Sequence, residues 1–562
     1  MKKLVIAEKP SVGREIARNL GCFQKEKGYT EGPDYIVTWA LGHLVELAEP
    51  QHYSESYKRW SLKTLPMLPE HLDQVVIDES KEQFDVISSL LSRDDISSVV
   101  IATDAGREGE LVARWILKLS GYEGKAERLW ISSQTEKAIK EGFENLRPAS
   151  DYDNLYHAAE CRAAADWYVG MNVTRALTCY YDAKLSSGRV QTPTLALMTA
   201  REDEIESFEG KYYYSARGDF GIFSASYYPE DNTVRFTDDA LAAEFPEWKE
   251  KKGKVVRLAS EEKSDPVPQA YDLTELQRDA NIVLGFSAKE TLDTLQRLYE
   301  VHKIVTYPRT DSRYITADIV PTLPERIKAL SQTIFSRQAD EYLQSGFRSD
   351  NPRFVNDSLV SDHHAIIPTE EPVKTEKLSS DELKLWQLIA LRFLEVIGED
   401  YLYKTTVCDI DVDGKLFRTR LTVPVRKGYR SAAESAGIKS ASLITEDSEN
   451  SFALMTLKEG DEVTLHSVKV RKNVTNPPER YTDATLLSAM EHAGRFVDDD
   501  KLKANLGNGL GTPATRADMI EKLIQNRYVE REGKYFIPTA KGREVVRLAP
   551  EVLRSPELTG VW

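Results

Sequence analysis

Aromatic and β-branched alternation occurs twice in this chain, at 212–228 (YYYSARGDFGIFSASYY) and again across 401–470 (YKTTVCDIDVDG, LFRTRLTVPV, DEVTLHSVKV). Residues 272–400, which lie between, have a largely helical texture (DLTELQRDANIVLGF, SAKETLDTLQRLYEV, DELKLWQLIALRFLEVI). Two separated pieces of one β-rich unit oblige the chain to leave a sheet, build a second body and return. The expected shape is a β arch carrying a helical insertion, a large looped molecule.

The N-terminal third reads differently. LVIA at 4–7, YIVTWAL at 35–41 and VVIA at 99–102 alternate with amphipathic stretches, the rhythm of parallel βα units. From Asp151 to about Glu204 two helical segments, AAECRAAADWYVGMNVTRALT and TPTLALMTAREDEI, flank the loop SSGRVQ. Near the C-terminus ATLLSAMEHAG, GNGLGTPATRADMIEKLIQNRYV and REGKYFIPT form a helix, helix, hairpin series with Glu532 and Gly533 at the turn, a winged-helix pattern. The expected division is 1–150; 151–210 with 471–562; 211–271 with 401–470; and 272–400. This is a multidomain α/β plus α plus β chain.

Composition matters for what it excludes. At 562 residues the chain is long enough for about four domains, and no run approaches the 18 or more apolar residues that a membrane helix needs. The start, MKKLVIAEKPS, is too short in its apolar part for a secretion signal, so the expectation is a cytoplasmic protein. Cys22, Cys161, Cys179 and Cys408 stand singly, which indicates reduced thiols rather than a zinc ribbon or a disulfide framework. The net charge of −16 argues against binding nucleic acid by bulk charge, although Arg471–Trp562 carries 15 Lys and Arg against 13 Asp and Glu. None of the five Gly-Lys pairs is followed by Ser or Thr, so there is no P-loop for ATP.

Several residues could carry chemistry. Glu8 follows LVIA and Asp104 follows VVIAT, each just past the end of a buried-looking strand, and Glu108 sits at the start of the next helix. Ligands gather at strand carboxyl ends, so these acids suit a hard divalent ion, though acids also simply cap βα turns. In KIVTYPRTDSRY, Tyr307 and Arg309 lie two apart and share one face of an extended segment. A neighbouring guanidinium favours the phenolate and clamps a phosphate oxygen, which would make Tyr307 a nucleophile, whereas most tyrosines only pack. SDHHAIIPT supplies His363 and His364 on opposite faces of an extended segment, so one at most reaches a site. Gly188 and Arg189 offer a loop N–H and a guanidinium to phosphate. Arg162 and Asp166, four apart, are equally readable as a helix-surface ion pair.

In order along the chain, AEKPS, TDAGREGE, ECRAAADWYVGMN, SSGRVQTPTL, DLTELQRDAN, TYPRTDS, HHAIIPT and GLGTPATRA resemble the motif series of type IA DNA topoisomerases, and most of all bacterial topoisomerase III. The resemblance covers nearly the whole length. It implies a toroid with an N-terminal Toprim (Rossmann-like) domain, a β-rich arch, an inserted helical domain and a winged-helix-like domain. It implies that Tyr307 attacks single-stranded DNA to leave a 5′-phosphotyrosine, with Arg309, Glu8, Lys9 and His363 assisting and with Mg²⁺ on Glu8, Asp104 and Glu108. Arg162, Asp166, Ser187, Gly188, Arg189, Gln191 and Thr192 are the DNA contacts it implies. Underwound or single-stranded DNA is then the substrate of a monomer near the nucleoid, and a helicase and a single-strand-binding protein are the implied partners. Type IA enzymes often carry a basic C-terminal extension, and one is expected beyond Trp562. The commoner family pattern has Asp-x-Asp-x-Glu where this chain has Asp104, Gly106 and Glu108, so one acid is missing and a single, loosely held ion is expected. Rival readings are a Toprim nuclease or primase, in which TYPRTDS has no role, and a non-catalytic DNA-binding scaffold.

Overall fold

The computed structural model describes residues 1–131, 135–229, 233–360, 362–439, 454, 456–507 and 509–561. Of the segments quoted above, Ser361 of SDHHAIIPT and Asn508 of GNGLGTP lie outside the described residues.

The N-terminal region is built on β1 (Lys2–Ala7), β2 (Gln24–Glu26), β3 (Tyr29–Glu31), β4 (Tyr35–Trp39), β5 (Val45–Leu47), β6 (Gln74–Val76), β7 (Ile96–Ala102), β8 (Ala126–Arg128) and β9 (Arg147–Pro148). Seven of these form one sheet in the order β2-β3-β4-β1-β7-β8-β9, while β5 and β6 pair separately. The central β1 runs parallel to both β4 and β7. Its unbroken apolar run is explained by burial on both faces: Leu4, Val5, Ile6 and Ala7 are all fully buried. Leu4 and Ile6 enter the core shared with the helix Arg107–Leu119, and Val5 and Ala7 enter the one shared with the helix Pro10–Asn19. Because Ala7 pairs with Ala102, Glu8, one residue past its strand, and Asp104, two past its own, come side by side.

The second sheet joins both β-rich stretches: β10 (Tyr212–Asp219), β11 (Ser224–Tyr228), β12 (Lys251–Asp265), β13 (Tyr401–Val412), β14 (Lys415–Arg426), β15 (Glu462–Leu465) and β16 (Ser467–Val474), in the order β15-β12-β13-β14-β11-β10-β16. Every pairing in it is antiparallel. One face packs on Phe220, Tyr227, Phe236, Phe245, Trp248 and Phe417. Asp413 and Gly414, both at positive φ (50° and 78°), make the two-residue turn between β13 and β14, the hairpin chemistry expected of Asp-Gly.

Helices of the inserted segment start where their caps dictate. Ser287 with Glu290 and Ser379 with Glu382 form capping boxes at the heads of Ala288–Glu300 and Ser380–Val396. One apolar core runs from Leu177 and Leu195 through Leu276, Leu295 and Trp386 to Leu487, Ile520 and Phe536, so the insertion and the C-terminal segment are packed together. Arg516 Nη1 donates to Thr274 Oγ1 (2.8 Å), and Asp483 Oδ1 accepts from Ala288 N (3.0 Å) across that junction. The C-terminal hairpin is β17 (Val529–Glu532) and β18 (Tyr535–Pro538). Glu532 pairs with Tyr535, so its turn is Gly533–Lys534, one residue later than the sequence suggests, because the αL-tolerant glycine takes the first turn position.

Candidate active site

A cavity of about 2030 Å³ is lined by Glu8, Lys9, Asp104 and Glu108 from the first sheet, by Arg162, Asp166 and Arg189, and by Tyr307, Arg309 and His363. Residues far apart in sequence are thus neighbours around one space.

Lys9 is the N-cap of the helix Pro10–Asn19, and the proline at the first helical position commits the chain to leave β1 there. Its Nζ donates to Asp104 Oδ2 (2.6 Å), lies 3.7 Å from Glu8 Oε1 and stands 4.1 Å above the centre of the Tyr307 ring. Burial works against that ammonium, but Asp104, Tyr307 and Glu8 outweigh it and hold Lys9 charged. Burial also opposes the Asp104 carboxylate, yet His363 and Lys9 keep it well below the usual range. Glu8 has the opposite fate. Burial first, and the Asp104 charge second, push its carboxyl up to about 7, although its Oε2 accepts the Asp104 N–H (3.1 Å).

Tyr307 lies against the His363 imidazole (centroids 4.1 Å, planes at 43°) and edge-on to Tyr299 (5.5 Å, 81°). His363 Nε2 is 3.3 Å from Asp104 Oδ2, whereas His364, half-buried on the same cavity, bonds through Nδ1 to the Ala365 carbonyl (2.8 Å) and is pulled down to about 4 by burial and by Arg326. Both histidines line the cavity, and His363 is the one against the tyrosine ring. The TYPR segment joins no sheet: Val305 makes an isolated bridge to Pro368, and Pro308 cannot donate to a ladder. One expectation needs correction. Arg309 does not lower the phenol overall, because burial pushes Tyr307 above its ordinary value while Lys9, and more weakly Arg309, pull against it. Arg309 is exposed and makes no hydrogen bond or ion pair among the described residues.

The second group of expected contacts is a self-supporting loop. Arg189 makes a two-pronged bond to Asp166 (3.0 and 3.0 Å) and reaches Thr559 Oγ1 (3.2 Å). Asp166 is therefore bonded across to the loop rather than to Arg162 as an i,i+4 pair. Ser187 Oγ meets Thr192 Oγ1 (2.8 Å), Gly188 N donates to the same hydroxyl (3.1 Å), and Gln191 Nε2 donates to Ser186 Oγ (2.9 Å). Ser187, Arg189, Gln191 and Thr192 are buried. Arg162 keeps its guanidinium without a hydrogen-bonded partner among the described residues and is lowered by burial and by Arg189 and Arg107 nearby.

For a hard cation Glu8 and Asp104 offer adjacent oxygen donors, with the Glu8 carboxyl raised by burial first and by the Asp104 charge second, and with Lys9 already bonded to Asp104. Glu108 stands apart, 63% exposed and 4.0 Å from His43 Nε2. Among the described residues no three such groups are assembled around one point. Sequence reasoning missed the support beneath this site. Buried Arg128 pairs with Glu110 and donates to the carbonyls of Thr103 and Asp104 (both 2.7 Å), which holds the turn that carries Asp104. Gly109 is required there too, since a Cβ on it would lie 2.0 Å from the Asp104 carbonyl oxygen. No local pattern links residues 110 and 128. Thr135 Oγ1 donating to Asp318 (2.7 Å) is a further bond between the first sheet's region and the tyrosine-bearing one.

A family model described as "DNA topoisomerase" matches residues 150–562, and one described as "Toprim domain" matches residues 3–133. The chain belongs to the type IA DNA topoisomerases. It is 44% identical over 567 residues to "DNA topoisomerase 3" of Bacillus subtilis (strain 168), and 45% identical to the protein of that description from Bacillus licheniformis. Each alignment covers all of this chain and 77% of the relative. The fold is similar to that of full-length topoisomerase I from Thermotoga maritima, with a TM-score of 0.69 and 23% identity over 97% of this chain and 82% of that one. No helix among the described residues is long and apolar enough to cross a membrane.

Proposed function

We propose that this type IA topoisomerase acts in the manner of topoisomerase III: it cuts one DNA strand with Tyr307, passes another strand through the break and reseals it without ATP, so relaxing underwound DNA and unlinking joined duplexes. In the cut, the bond from Tyr307 Oη to phosphorus forms as the bond from phosphorus to the 3′-oxygen breaks. A 5′-phosphotyrosine and a 3′-hydroxyl result. The phenol loses its proton and the departing oxygen gains one. One phosphoester replaces another, so resealing is the same step reversed.

The observation that carries this reading is the Lys9 ammonium, anchored on Asp104 and 4.1 Å over the Tyr307 ring. It offsets the burial that keeps the phenol neutral and attracts the substrate phosphate. Arg309, exposed on the cavity, clamps the non-bridging oxygens and stabilises the charge that develops on them. Glu8, raised to about 7, carries the proton that the departing 3′-oxygen takes. His363 packs the ring and bonds toward Asp104. Asp104, with Glu108 at the helix start and with Glu8 once it has given up its proton, would hold Mg²⁺, which would neutralise phosphate charge. Arg162 contacts the DNA backbone, while Asp166, Ser187, Gly188, Arg189, Gln191 and Thr192 hold the loop beside it. Substrate strands come from a helicase and are kept single by a single-strand-binding protein, at the nucleoid. One tyrosine suffices for one cut, so a monomer does the work.

The test is to mix the protein with a single-stranded oligonucleotide and Mg²⁺, quench with detergent and locate the adduct by mass spectrometry. A 5′-phosphate on Tyr307 is expected. Cleaved DNA without an adduct would make the protein a nuclease instead.

A further inference from the structure

Tyr307, Pro308 and Arg309 form a three-residue excursion with a threonine hydroxyl at each end. Before it, Val305 bridges Pro368, and Thr306 N donates to Ile367 O (3.0 Å). Pro308 has no N–H, so backbone pairing cannot run on through the tyrosine. Side chains take over. Thr306 Oγ1 donates to Ala365 O (2.9 Å) and accepts from Ile367 N (2.9 Å). Past the excursion, Thr310 Oγ1 donates to His363 O (2.8 Å) and accepts from Ser312 N (3.0 Å). The two hydroxyls thus grip one segment, 363–367, from either side of Tyr307, and that segment carries the imidazole packed on the Tyr307 ring. The far end is tied down once more. Thr310 O accepts from Leu273 N (3.0 Å) at the head of the helix Leu273–Leu284, whose N-cap Asp272 accepts from Arg313 Nε (2.6 Å). There the DLTELQRDAN and TYPRTDS segments meet.

We propose that Thr306 and Thr310 are positioning residues for the nucleophile. Their hydroxyls fix both ends of the excursion to the His363 segment, and so set Tyr307 Oη and the Arg309 guanidinium at one place relative to the substrate phosphate. Tyr307 and Arg309 both line the cavity, and no strand holds either of them. An excursion released at one end swings about the other, and a displacement of about 1 Å at the reacting atoms can cost on the order of 10²-fold in rate. Thr310 is 3% exposed, so water does not take the place of its hydroxyl when that group is removed. His363 O and Ser312 N then lose the bonds they make to it. Thr306 matters less, because its backbone N–H still holds Ile367 O.

This rests on the reading of Tyr307 as the nucleophile, and the experiment separates the two. Single-turnover cleavage is followed on the full chain with Mg²⁺ and a saturating single-stranded oligonucleotide, for the wild type, T310V, T310S and T306V, well below each unfolding midpoint. We expect T310V, which keeps the shape and removes the hydroxyl, to form the Tyr307 adduct about tenfold more slowly, the size of one buried hydrogen bond, with the oligonucleotide Kd unchanged. T310S, which keeps the hydroxyl, should recover most of the rate. T306V should be slower than wild type by about threefold, and it decides the matter should T310V fail to fold. If the wild type forms no Tyr307 adduct, the nucleophile reading fails and this inference with it. If the adduct forms but folded T310V and T306V cleave at the wild-type rate, or T310S is as slow as T310V, the nucleophile reading stands and this inference is overturned.

Discussion

The arch sheet and the active site are both made from residues far apart in sequence, yet they depend on sequence in opposite ways. In the arch, β10 pairs with β16 although some 250 residues separate them, and β12 with β13 across the whole insertion. Each pairing is supported by many alternating positions, so the instruction is repeated along the strands. In the site, single atoms decide. One ammonium serves Asp104, Glu8 and Tyr307 at once, and one absent Cβ makes room for Asp362. Redundant pattern tolerates substitution at a cost in stability, whereas a converged charge cluster loses its function while the fold survives.

The sharpest break in that comparison is Tyr307→Phe, which should abolish the covalent DNA adduct while leaving the unfolding midpoint close to wild type. Phe417→Ala in the arch should do the reverse. Phe417 is fully buried among Phe220, Tyr227 and Phe245, so its loss should cost about 3–5 kcal/mol in denaturant melts, with adduct still forming well below the midpoint. Adduct lost at full fold occupancy would mean that the arch is not independent of the chemistry.

Lys9→Met should slow single-turnover cleavage by about 10²-fold, the size expected for one fixed charge-stabilising group. A slower rate with unchanged oligonucleotide affinity would place the effect in the chemical step. The pH dependence is subtler. Glu8, pushed up to about 7, is protonated below that pH and loses its proton above it. As the donor to the departing oxygen it should make cleavage fall about tenfold per unit above pH about 7, a limb that Glu8→Gln removes. A flat profile in the wild type would move the proton to another group. Smallest of all, breaking Lys252–Glu462 on the arch, an ion pair with side chains 80% and 71% exposed, should scarcely shift the melt.

Much of this molecule could be read before it was seen folded. The strands at LVIA, YIVTWAL and VVIA and the two helices around SSGRVQ are where pattern puts them, because local propensity and burial agree there. The segments that hold Glu8, Lys9, Asp104, Tyr307 and His363 were also visible, as short polar islands at the ends of apolar runs. The phenol's net shift could not be foreseen from TYPR, since burial is a property of the assembled chain. The Arg162–Asp166 spacing suggested a helix-surface bond, but Arg189 offers Asp166 a two-pronged partner that the helix cannot match.

Sequence alone determined the family, the order of elements and which residues were candidates for chemistry, because hydrophobic period, caps and motif order are written locally. Only the tertiary structure decided which candidates meet and in what charge state. Asp104 is held ionised by His363 and the Lys9 ammonium, while at the adjacent strand end burial, and then the Asp104 charge, push Glu8 up to about 7 although Lys9 lies 3.7 Å away. Gly106 likewise reads as a missing acid in the sequence, and only the folded chain shows that a side chain there would meet the carboxylate of Asp362, more than 250 residues later. Distance between atoms, not position along the chain, sets electrostatic energy and excluded volume.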